Sequence, residues 1–102
     1  MNIWDIPDTL DEKEFIQILL QCPGIRIEKI ISSGQCSPEG FWYDQKESEW
    51  VCLLQGEAKI AFSDGREQEL KAGEQLFIPS HQKHRICFTS CQPPCIWLCI
   101  FF

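Results

Sequence analysis

The chain has 102 residues, 44% hydrophobic and 24% charged, with twelve aromatic side chains. That composition suits one globular domain and excludes a disordered or fibrous chain, and no run approaches the ~20 apolar residues of a membrane-spanning helix. A formal net charge of −6, with the basic residues scattered, repels phosphate backbones and argues against nucleic acid as a partner.

The start, Met1 to Asp5, has no basic segment followed by an apolar run, so no secretory leader is expected and the cytoplasm is the expected compartment. Seven cysteines are an odd number, which in such a chain points to reduced thiols rather than a disulfide framework. Cys52, Cys87 and Cys99 lie in apolar runs and read as small hydrophobes. Cys91 and Cys95 flank a Gln-Pro-Pro loop with a spacing that belongs to no strong zinc or redox motif.

Next comes DTLDEKEFIQILLQCPG. Asp8 or Thr9 can cap a helix, acids occupy its first turn, Phe15, Ile16, Leu19 and Leu20 form an apolar face, and Pro23-Gly24 ends it. One short helix is expected. From Ile25 the pattern changes to short runs rich in Ile, Val, Phe and Trp separated by turn residues. Strands are expected at 25–33, 41–43, 49–55, 58–62, 67–70, 76–78, 84–89 and 96–102. The expectation is therefore an all-β barrel or sandwich over residues 25–102 behind a helical cap at 1–24, the whole being one domain over 1–102.

The runs EWVCLLQ and IWLCIFF are apolar on both faces. Neither can turn one face simply to water, so a homodimer that buries the outer faces of the Trp50 and Trp97 strands is expected. Val51 and Leu53 place Glu49 on the core-facing side of its strand. A lone carboxyl group there costs several kcal/mol unless it is paired, protonated or bound to a cation, and His84, Arg85 or a metal would each serve.

The spacing of Gly73, Pro79 and His84, together with Glu49 followed by Gly56, resembles the second motif and the end of the first motif of the cupin superfamily. The two motifs span roughly Trp42 to Phe88. The resemblance is to small single-domain cupins and implies a jelly-roll β-barrel. It also implies ligand positions for one divalent metal ion, iron, manganese, nickel or zinc, at Glu49 and His84, with Asp44 where the family has a histidine. Trp42 stands at the other first-motif histidine position and cannot coordinate. His81 replaces the glycine expected between the proline and the histidine, and could join the set only by turning its ring inward; Phe88 replaces a later asparagine.

Trp42, Tyr43, Trp50, Phe77 and Phe88 are the aromatic candidates for lining a small-molecule cavity. Three functional classes stay open. One is a metal-dependent oxygenase or isomerase acting on a small molecule; another is a non-catalytic small-molecule binder; the third is an accessory protein that docks on another protein. Whether the chain is an enzyme is not decided by the sequence.

Overall fold

The structure, a computed structural model, describes residues 2–102; Met1, with which the expected cap begins, lies outside them. Eight strands follow in chain order: β1 (Phe15–Cys22), β2 (Ile25–Ser32), β3 (Glu49–Gln55), β4 (Glu57–Phe62), β5 (Glu67–Lys71), β6 (Gln75–Ile78), β7 (His84–Thr89) and β8 (Cys95–Phe101). They form a five-stranded sheet in the order β1-β2-β8-β3-β6 and a three-stranded sheet in the order β5-β4-β7. Every pairing is antiparallel.

The expected N-terminal helix is absent, and no helix occurs among the described residues. The apolar positions read as a helical face belong to β1, which pairs with β2 from Phe15↔Ile31 to Cys22↔Ile25. Pro23-Gly24 is the turn of this hairpin, with Gly24 at φ 82°, a value that glycine reaches without strain. The side chains of that apolar set stay exposed on β1, so main-chain pairing rather than a buried face makes the segment a strand. The ladder offered by β2 then overrides a helical preference worth only tenths of a kcal/mol per residue. The expected strand at 41–43 contracts to a single bridge between Tyr43 and His84.

Alternation along β3 sets the inside and the outside of the barrel. Glu49, Val51 and Leu53 are buried, while Trp50, Cys52 and Leu54 are half-buried on the other face. Leu53, Ile60, Phe62, Leu70, Trp97 and Phe101 belong to the core cluster between the sheets, each contributing about 1.5–3 kcal/mol of apolar burial.

The chain passes from one sheet to the other at Gly56, between β3 and β4. Gly56 has φ 93°. A Cβ there would lie 2.8 Å from Ser90 Oγ, 2.9 Å from Cys95 Sγ and 3.0 Å from Cys95 Cα.

Two segments outside the strands finish the barrel. Ser37 N–H donates to the Ile86 carbonyl at 2.8 Å, and Ile86 N–H to Ser37 Oγ at 3.0 Å, so this loop seals the outer edge of β7. On the outward face of β2, Lys29 is only 1% exposed and its ammonium donates to the main-chain carbonyl of Asp5. That bond draws the N-terminal segment across the sheet.

Candidate functional site

The interior of the barrel holds a cavity of about 230 Å³. Glu49 enters it from the first position of β3, where its neighbours in register are Ile78 and Phe101. His84 enters from the opposite sheet at the first position of β7. The Tyr43 bridge fixes the backbone of His84 in both directions, with N···O distances of 2.7 and 3.1 Å. The Tyr43 ring stacks on the imidazole, centroids 5.3 Å apart and planes 24° apart.

His84 Nδ1 lies 2.9 Å from the Gln82 carbonyl oxygen. A carbonyl only accepts, so Nδ1 carries the proton and Nε2 presents a lone pair. Nε2 is 3.8 Å from Glu49 Oε1, too far for a hydrogen bond. Burial holds the His84 pKa below its ordinary value, the bond to Gln82 opposing this, and keeps the ring neutral. Burial also raises Glu49, to about 7, against the lowering effect of a hydrogen bond from Cys99. The Cys99 thiol is itself pushed well up, first by burial and then by Glu49, so it stays protonated as the donor. With a neutral ring opposite a carboxyl group that is partly protonated at neutral pH, the pair is a facing acceptor and acid rather than an ion pair.

Asp44 and His81 lie elsewhere. Both are exposed, and His81 Nδ1 donates to Asp44 Oδ1 at 2.7 Å. His81 has φ 63°, the left-handed region that a non-glycine residue enters at a cost. The backbone at 81 thus keeps the conformation suited to glycine, while the imidazole holds Asp44 at the surface. Carried-over ligand positions therefore separate into two pairs, Glu49 with His84 inside and Asp44 with His81 outside. Among the described residues no three His, Cys, Asp or Glu side chains converge in a group that could hold a metal ion.

Of the aromatic side chains expected at the cavity, Tyr43 lines it. The alternation of β3 turns Trp50 outward, where Nε1 donates to Gln75 Oε1 at 2.7 Å. Phe77 pairs with Trp50 on that same outer face and stacks on Phe102 at 6.2 Å. Trp42 is exposed, and Phe88 is 49% exposed beyond the register shift of β7 against β4. Trp97 and Phe101 of β8 take the interior places instead.

Sequence reasoning missed Arg26, Glu28, Glu14 and Cys99 as lining residues. Arg26, Glu28 and Ile30 alternate along β2 and share its inner face, a signal that was present. Arg26 donates to Glu28 at 2.7 Å and to Glu47 at 3.0 Å, and its guanidinium lies 4.3 Å from the centroid of the Phe101 ring. Glu14 was hidden by the helical reading of its segment; its carboxylate accepts from Ser32 Oγ.

Two antiparallel sheets close round an apolar cavity with a few polar groups, a form that small-molecule sites commonly take. The model of the cupin domain matches residues 30–101, and the chain belongs to the cupin family. It is similar to a protein of Ralstonia eutropha JMP134 provisionally named a mannose-6-phosphate isomerase. The two share 35% identity over 99% of this chain and 94% of that one, with a TM-score of 0.93. A cupin superfamily protein of Desulfitobacterium hafniense DCB-2 has TM-score 0.78 and 21% identity over 94% of this chain and 83% of that one. The polyketide cyclase RemF of Streptomyces resistomycificus has TM-score 0.71 and 20% identity over 88% and 65%. The last two support the fold alone. No curated protein matches the chain significantly. No helix among the described residues is long and apolar enough to cross a membrane.

Proposed function

We propose that this cupin binds a small molecule in the barrel cavity, between Glu49 and His84, without a three-ligand metal centre. The observation that carries the reading is the 3.8 Å gap between His84 Nε2 and Glu49 Oε1, two buried polar atoms that face one another inside an apolar cavity. A divalent ion does not fit the donors. Asp44 is engaged by His81 at the surface, Trp42 offers no ligand atom, and two ligands do not close a stable site. This weighs against the metal-dependent oxygenase or isomerase.

A phosphorylated sugar, which the name of the Ralstonia protein suggests, is also disfavoured. The cavity lining holds Glu14, Glu28 and Glu49 against the single cation Arg26, and two carboxylates already occupy that cation.

Saturating manganese, iron, nickel or zinc is expected to leave the melting temperature within about 1 °C, whereas a true site at ~100 times its dissociation constant would add about 2.7 kcal/mol. Stoichiometric metal in protein purified without additions, lost in His84→Ala, would overturn the metal-free reading.

A second copy of the chain is the partner that fits the outer face of the five-stranded sheet, where Trp50, Cys52 and Leu54 of β3 lie beside Leu98 and Ile100 of β8. With the N-terminal segment over β2, the uncovered part is the β8-β3-β6 side, three strands of about six residues or roughly 14 by 20 Å, smaller than the ~800 Å² that each partner buries in a standard interface. Light scattering at micromolar concentration should give twice the 11.9 kDa chain mass, and Trp50→Glu should return the monomer; a wild-type monomer would refute the pairing.

A further inference from the structure

The cavity reading leaves the chemistry of the ligand open, and three observations converge on it. The first is the orientation of His84. Its Nδ1 proton is committed to the Gln82 carbonyl, so Nε2, on a residue 4% exposed, is an acceptor aimed into the cavity with no hydrogen-bond partner of its own. Glu49 Oε1, 3.8 Å away, is a second acceptor when its carboxyl group is ionised, the form that an ammonium beside it favours. One nitrogen seated between them at hydrogen-bond distance could donate to both, whereas a hydroxyl group has a single proton to give.

The second observation is charge. Three carboxyl groups and one guanidinium line the space, and the guanidinium is neutralised from two sides. An anion entering would meet unopposed negative charge, and a cation would meet a field of its own complement.

The third is the aromatic wall of Tyr43, Trp97 and Phe101. Aromatic faces attract cations, and this wall already seats one, the Arg26 guanidinium over Phe101. The protein's own side chain shows on this wall how a cation is received.

We infer that the ligand is a small organic ammonium, its nitrogen held between His84 Nε2 and Glu49 and its apolar body packed against the aromatic and aliphatic walls. The inference rests on the proposed small-molecule role of this cavity. Its volume, about 230 Å³, equals roughly eight waters in the liquid, which limits the ligand to a compact molecule.

Three probes of one shape and different head group test it: isobutylammonium, isobutanol and isobutyrate, with mannose 6-phosphate as a fourth. The chain has two histidines, so the ring signals of His84 can be followed by NMR during titration once His81→Gln has identified the other. The ammonium should bind about ten times more tightly than the alcohol, with both anions weaker than either. Glu49→Gln should collapse that preference, and Glu28→Gln, a gentler change elsewhere in the lining, should reduce it about threefold. Tighter binding of the alcohol or an anion, or a preference untouched by both variants, would overturn the ammonium while leaving a small-molecule cavity. If none of the four probes moves the His84 signals, the cavity reading falls as well.

Discussion

Gly56→Ala should be among the most damaging single substitutions in this chain, costing roughly 2–5 kcal/mol. About 1–2 kcal/mol comes from a side chain at positive φ, and about 1–3 from forcing a methyl group into a packed site. The positions of Ser90 and Cys95 decide the second part, because Cys95 is fully buried and its Cα cannot move aside as the end of a flexible side chain could. Gly65→Ala supplies the control. It has nearly the same φ, 95°, but open space where the methyl would go, so it should show the conformational cost alone. Thermal melts should separate the two by at least about 4 °C, at about 4–8 °C per kcal/mol in a domain near this size. Equal shifts would mean that the strand crossing is not tightly packed.

Glu49→Gln should change the pH dependence of stability more than any other charge removal. The folded state raises Glu49 from 4.5 to about 7, so the native protein binds the proton more tightly than the unfolded chain does. Its contribution is fully present below about pH 4.5 and is lost as the pH rises through about 7. The difference corresponds to roughly 3 kcal/mol by alkaline pH. His84 works in the opposite sense. Its folded pKa is lowered from 6.5, so its contribution is present above 6.5 and is lost as the pH falls through the folded value. Wild-type stability should therefore decline on both sides of a mildly acidic to neutral range. Glu49→Gln should remove the alkaline decline, exceeding wild type at pH 8.5 and matching it near pH 5 in melts across that range. An alkaline limb unchanged in the variant would locate the titrating group elsewhere.

Much of the barrel was legible because alternation is a strong signal when one face is buried. The strands at 49–55 and 84–89 were read with their observed bounds, and β2, β4, β5, β6 and β8 within one residue at each end. β1 was not, since Phe15, Ile16, Leu19 and Leu20 have helical spacing and no strand alternation, all four stay exposed, and only the long-range pairing with β2 makes the segment a strand. The site was legible where spacing carried it. Val51 and Leu53 placed Glu49 inward and the motif spacing singled out His84, and both side chains line one cavity. The aromatic lining was not legible, because proximity in sequence to the motifs says nothing about which face a residue takes. Trp50 follows Glu49 directly and for that reason points the opposite way.

Lys29 makes the N-terminal segment tolerant in one respect and rigid in another. Its buried ammonium is met by the main-chain carbonyl of Asp5, an acceptor that any amino acid at that position would supply. The bond to Lys29 makes no demand on the side chain of residue 5, while it does fix the path of the backbone over the sheet. Covering of the barrel at this point therefore depends on the course of the chain and on the lysine more than on the side chain that faces it.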